Sequence, residues 1–183
     1  MGKSCHSSNP NNGINANYIL AKIINKIEEL NLKFENTTLN CGIVNGGEKI
    51  NIVPSYSCLQ FDIRSATKKN QELAFAEIEG FISTLKNSYS GCQITLTQTL
   101  SIPALEKNIN GKINNIIKKF NLIETEFVGG CEAGYFQALG GDAFLFGAGD
   151  LSLAHKPNEF LNVDNFKIYN KQFLKILNYI CES

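Results

Sequence analysis

A mixed α/β (α+β) chain in two parts is what this sequence predicts, and three patterns carry the prediction. Apolar residues recur at three- and four-residue steps in two long stretches, the mark of amphipathic helices. Shorter segments beside them alternate apolar and polar residues, as half-exposed strands do. After Pro103 the texture changes to brief apolar runs interrupted by glycine pairs.

Asn9-Pro10-Asn11-Asn12-Gly13 is a turn cluster, after which Ile14 to Leu30 is predicted helical. Ile19, Leu20, Ile23, Ile24, Ile27 and Leu30 form one apolar stripe, with Asn12 the expected cap. Leu39 to Val44 reads as a strand, and Asn45-Gly46-Gly47 supplies the residues a tight turn tolerates best. Ile50 to Val53 is a short apolar segment. Ser57 to Arg64 is a longer strand, with Leu59, Phe61 and Ile63 on one face and Cys58, Gln60 and Asp62 on the other. Thr67 to Lys86 repeats the helical stripe, and Cys92 to Leu100 alternates again.

With residues 1–8 as a first strand, the order is strand, helix, strand, strand, helix, strand. That is the ferredoxin-like βαββαβ arrangement, with two helices on one face of a sheet. It accounts for residues 1–106. Residues 107–183 are expected to hold a helix at Asn108–Phe120, a strand at Glu124–Val128, a helix at Glu132–Leu139, a strand at Ala143–Phe146 and a closing helix at Asp164–Tyr179. Such a segment makes a poor core by itself and is expected to be the carboxyl-terminal part of a larger α/β domain with a mixed sheet.

Charge narrows the function. Lys and Arg together number 17, as do Asp and Glu, and this balance argues against nucleic acid or an anionic membrane as partner. No apolar run approaches the roughly 20 residues of a membrane span. The six cysteines include no Cys-x-x-Cys pair, so neither a zinc ribbon nor a redox pair is expected. Scattered thiols suit a reducing, cytoplasmic setting.

The segment richest in chemistry is Gly147-Ala148-Gly149-Asp150-Leu151-Ser152-Leu153-Ala154-His155-Lys156-Pro157-Asn158-Glu159-Phe160. A histidine past a buried strand can offer a neutral ring nitrogen to a metal, although a lone loop histidine is as readily a surface residue. The segment resembles the loop that closes the active site of the M20 metallopeptidase family. Three further segments resemble that family in the same order. They are Gly2-Lys3-Ser4-Cys5-His6-Ser7-Ser8-Asn9-Pro10; Gly42 to Gly47 with Asn51-Ile52-Val53-Pro54 and Asp62-Ile63-Arg64; and Gly130-Cys131-Glu132-Ala133-Gly134. The last is similar to the acetylornithine deacetylase branch. The chain departs from the pattern at Cys131, Ala148 and Asn158, where Thr, Pro and Asp are usual.

The resemblance implies a role for each residue. His155 would ligate one ion of a two-zinc site, where cobalt can substitute. His6, on a lid that also dimerises, would donate to the oxyanion of the tetrahedral intermediate, possibly in a partner subunit. Arg64 would bind the substrate carboxylate with its planar fork, the alternative being an exposed arginine paired with Asp62. Asn51 would contact substrate or order its turn, and Glu132 would meet a basic amine or cap its own helix. Gly149 would present its backbone N–H. The implied reaction is removal of the acyl group from an N-acyl amino acid, foremost acetylornithine in arginine biosynthesis. Succinyl-diaminopimelate desuccinylase, dipeptidase and aminoacylase activities stand as alternatives, as does a non-catalytic dimerisation module.

The family's other ligands, a His-x-Asp, a bridging Asp and a Glu-Glu pair, have no counterpart in these residues. Glu28-Glu29 is the one adjacent acidic pair, and it lies on the polar side of the first helix. A catalytic zinc normally takes three protein ligands. The chain is therefore expected to be the carboxyl-terminal half of a longer hydrolase and inactive alone.

Overall fold

The computed structural model describes residues 1–107 and 111–182. The mixed α/β class is observed, in two compact units. One comprises Met1–Glu106 with Glu126–Gly134, the other Lys107–Thr125 with Tyr135–Ser183.

In the first unit, helix α1 (Ala16–Asn31) buries Ile19, Ile23, Ile27 and Leu30 of the predicted stripe, while Leu20 and Ile24 are only half-buried. Its cap is Asn15 rather than Asn12. The Asn15 side chain accepts from the N–H groups of Asn17 (2.9 Å) and Tyr18 (3.3 Å), two donors the first helical turn leaves without a partner. Asn12 instead ends a 3₁₀ turn, Pro10–Asn12. Ile14 stays outside the helix because its backbone exchanges two hydrogen bonds with Lys3.

Strands β1 (Thr37–Gly46) and β2 (Ser57–Ser65) form an antiparallel pair with a bulge between Cys41 and Ile43. Leu59, Phe61 and Ile63 of β2 face the core as their alternation requires. Helix α2 (Lys68–Ser88), capped by the Thr67 side chain, adds Ala74, Ile78, Ile82 and Leu85. Ile27, Leu30 and Ile78 are the largest fully buried side chains. Each such side chain contributes about 1.5–3 kcal/mol over its exposed state.

The flanking segments keep their alternation but form no continuous ladder. Cys92, Ile94 and Leu96 turn inward onto the core. Their link to the amino terminus is one residue pair, Met1 and Gln93, whose backbones bond to each other in both directions. The amino-terminal segment meets residues 51–55 through Gly2 N–H to Ser55 O, Val53 N–H to Cys5 O and Ser7 N–H to Asn51 O (2.7, 2.9 and 3.1 Å). Among the described residues, β1 and β2 are the sheet. Alternation specifies a buried face; a ladder also needs a neighbour at matching register over several residues.

The second unit holds helices α3 (Ile113–Lys119) and α5 (Val163–Glu182), with most of α4 (Glu132–Ala138). The expected helix over Asn108–Phe120 is shorter, its residues 108–110 lying outside the described residues. The segments Glu124–Val128 and Ala143–Phe146 are not strands. Neither segment is fully buried, and no adjacent strand among the described residues takes up their backbone groups. An aromatic cluster substitutes for a sheet-based core. Tyr169 of α5 lies 5.0 Å from Phe146 and stacks at 5.6 Å on Phe173, and Phe120 meets Tyr179 edge-on at 5.9 Å. Lys119 Nζ sits 3.7 Å above the Tyr179 ring, a cation–π contact. Of this unit's described apolar side chains, Ile116 and Ile176 are buried, while Phe166, Ile168, Leu174 and Ile180 remain about half exposed.

Candidate functional site

The predicted residues fall into two groups, one in each unit. In the first unit, two of them come together. His6 forms a β-bridge with Ile52, and the neighbouring Ser7 N–H donates to Asn51 O at 3.1 Å. His6 and Asn51 thus sit on adjacent strand-like segments, both exposed. Gly2 makes the close approach possible. A Cβ there would lie 2.1 Å from Ile14 O, so a side chain would break the contact between residues 2–3 and 14.

The His6 ring is held by its own turn. Asn9 N–H donates to His6 O (3.0 Å), which folds Ser8 back over the imidazole. Ser8 Oγ lies 2.8 Å from Nδ1, and the Ser8 N–H donates to Nδ1 at 3.2 Å.

Arg64, near the end of β2, is paired with Asp62 through Nε–H to Oδ2 at 2.8 Å, and both side chains remain about half exposed. An exposed pair of this kind contributes at most about 1 kcal/mol. Its larger effect is to orient the guanidinium. Glu132 opens α4, where its negative charge complements the helix's positive end. That helix start is seated closely on the chain, since a Cβ on buried Gly134 would fall 2.2 Å from Pro103 O.

The second unit carries the glycine loop and His155. Gly149 is exposed, and a Cβ added there would meet nothing within 4 Å, so its backbone faces open space. The Asp150 carboxylate accepts from Ser152 N–H at 2.8 Å. That backbone hydrogen bond holds its carboxyl below the usual range. The turn Leu151–Leu153 then delivers His155 with φ 61°. Left-handed backbone is uncommon outside glycine and costs about 1–3 kcal/mol when surrounding structure imposes it. Here the Glu159 carboxylate accepts from His155 N–H at 3.3 Å. Asn158 shares the same conformation at φ 61°, which asparagine tolerates better than most residues. Asp150 and Glu159 line an open depression of about 490 Å³, together with Gly147–Gly149, Phe160, Phe166 and Tyr169.

Sequence reasoning missed two contributors. Ser8 gave no signal beyond its place in the Gly2–Pro10 motif, and Tyr169 none beyond its place in the closing helix.

A metal centre is not complete in these residues. Among the described residues no three His, Cys, Asp or Glu side chains gather, whereas a zinc site takes three or four ligands. His155 stands as a single candidate, so no reaction step through a metal is derived from this chain. Among the described residues, no helix is long and apolar enough to cross a membrane.

Comparison with known proteins agrees with this picture. Residues 1–90 match the M20 peptidase dimerisation domain. An uncharacterized metallohydrolase of Methanococcus maripaludis is 30% identical, over 96% of this chain and 49% of its own length. The acetylornithine deacetylase of Photorhabdus laumondii is 25% identical, over 100% of this chain and 50% of its own. Among solved structures, a tripeptidase from Staphylococcus aureus superimposes with a TM-score of 0.83 at 24% identity, over 100% of this chain and 50% of that one. The chain spans about half the length of the curated relatives it matches. Residues 1–90 are thus an M20 peptidase dimerisation domain, in a chain whose homologues are metallohydrolases and acetylornithine deacetylases.

Proposed function

We propose that these residues serve a metal-dependent hydrolase that cleaves the amide of an N-acyl amino acid, with N-acetylornithine the leading substrate. The observation that supports this most is the likeness to acetylornithine deacetylases over the full chain. In the second unit the glycine loop lines an open depression together with Glu159, whose carboxylate accepts from the His155 N–H. In the reaction the C–N bond breaks, the oxygen of water joins the acyl carbon, and the leaving amine takes a proton. His6 donates to the oxyanion from its free ring nitrogen, in its own subunit or a partner's. Arg64 takes the amino-acid carboxylate, Asn51 contacts the substrate, Glu132 meets the side-chain amine and Gly149 offers its N–H. His155 is a ligand of a two-zinc centre whose other ligands lie outside these 183 residues. The product belongs to arginine biosynthesis in the cytoplasm.

We propose also that the working form is a homodimer joined through the first unit, as the match over residues 1–90 suggests. β1 favours a particular stretch. At Leu39 both outer backbone groups are taken by the Asn31 side-chain amide, at 2.6 and 2.8 Å. Past Cys41 the strand carries no charged residue, and Ile43 and Val44 are half exposed. An uncharged open edge is a template for a second strand.

The test is a substrate panel on the longest in-frame polypeptide containing these residues, supplied with zinc. N-acetylornithine, N-succinyl-diaminopimelate, a dipeptide and a tripeptide are compared by kcat/KM. The expected result is at least about tenfold preference for N-acetylornithine. A preference for either peptide would replace the deacylase reading by a peptidase, and no hydrolysis of any would leave a dimerisation module.

A further inference from the structure

We propose that Ser8 is a positioning residue that fixes the tautomer of His6, leaving Nδ1 bare and the proton on the outward-facing Nε2. A backbone N–H can only donate, and the Ser8 N–H donates to Nδ1, so that nitrogen carries no proton in this arrangement. The Ser8 hydroxyl, 2.8 Å from the same atom, then also acts as donor rather than acceptor. In a neutral imidazole the proton must be on the other nitrogen. The turn making these contacts is itself fastened. Asn9 N–H closes it onto His6 O, and Val53 N–H to Cys5 O and Ser7 N–H to Asn51 O hold the backbone on either side of His6. The ring is therefore oriented from its inner edge while its outer edge faces solvent.

The inference rests on the proposed role of His6 as an oxyanion donor, because a donor must bear its proton on the nitrogen that faces the substrate. With the proton on Nδ1 the outer nitrogen would present a lone pair to a developing negative charge. Ser8 touches neither substrate nor reacting atom; it acts through His6. Any residue but proline would keep the backbone N–H at position 8; what serine adds is the hydroxyl, a second donor to the same nitrogen.

The chain has two histidines, so the ring nitrogens are separable by nitrogen-15 NMR on the 183-residue chain, with His155→Gln assigning the signals. At a pH where the ring is neutral, the expected result is a single tautomer for His6 with Nε2 protonated. In Ser8→Ala, which keeps the backbone N–H and loses the hydroxyl, the two nitrogen signals should move part of the way toward each other as the second tautomer gains population, and Ser8→Thr, which restores the hydroxyl, should return them. A wild-type ring already mixed or protonated on Nδ1 overturns the proposal, as does a Ser8→Ala spectrum identical to wild type. In the longer, metal-loaded polypeptide, Ser8→Ala should lower kcat about tenfold with KM nearly unchanged. If the spectra behave as expected while His6→Ala leaves kcat intact, the oxyanion role fails and the positioning stands.

Discussion

At the scale of single residues, charge and geometry act locally. Glu77 of α2 joins Lys33, to which it is hydrogen-bonded, and Lys26 at 3.7 Å, both from α1 and its exit. The Lys33 hydrogen bond is the main reason its carboxyl is held below the ordinary value of 4.5. A carboxylate with a lowered folded pKa contributes stability that is present above its unfolded value. That contribution is lost as pH falls through the folded value. Because the group is near the surface, the contribution is a fraction of a kcal/mol. Thermal unfolding of wild type and Glu77→Gln should thus differ slightly at neutral pH and converge as pH drops below about 4.5; a difference that grows on acidification contradicts the assignment. Single positions are also where the sequence is least legible. Asn12 and Asn15 are the same residue type in neighbouring places, and pattern alone favours the wrong one. What decides it is the Lys3–Ile14 contact, which holds Ile14 extended and delays the helix to Ala16. Ser8 is illegible for a similar reason, since its partner is the ring two residues before it.

Elements are far more legible, because a helix declares itself through many residues at once. The stripes of α1 and α2 supply most of the core, with Leu20, Ile24, Leu73 and Ala76 left outside it, and β2 presents the face its alternation assigns. Segments 92–100, 124–128 and 143–146 read as strands in the sequence. They lack ladders because hydrogen-bond partners are a property of the neighbour, not of the segment. The same reasoning gives β1 its predicted use. Its outer edge is occupied at Leu39 by Asn31 and open from Cys41 onward, so Val44→Lys should place a charge where a second copy would pair. If the homodimer uses this edge, that variant should weaken dimerisation at least about tenfold in sedimentation velocity while the far-UV spectrum is preserved. An unchanged dimer would place the interface elsewhere.

The whole molecule divides its tasks between two units of different character. The first has a continuous apolar core between two helices and a strand pair. The second relies on an aromatic cluster around Tyr169 and leaves much of α5 half exposed. The likeness to M20 peptidases is legible because four ordered motifs span both units. The metal centre is not, since its remaining ligands have no counterpart in this sequence. The central claim is that His155, held in left-handed backbone by the loop ending at Glu159, is a ligand of that centre. The direct measurement is zinc per subunit, by mass spectrometry of the metal, in the longer polypeptide and its His155→Ala variant. Two ions falling to one, with the fold retained by circular dichroism, is the result predicted. An unchanged two ions would remove His155 from the site and contradict the account.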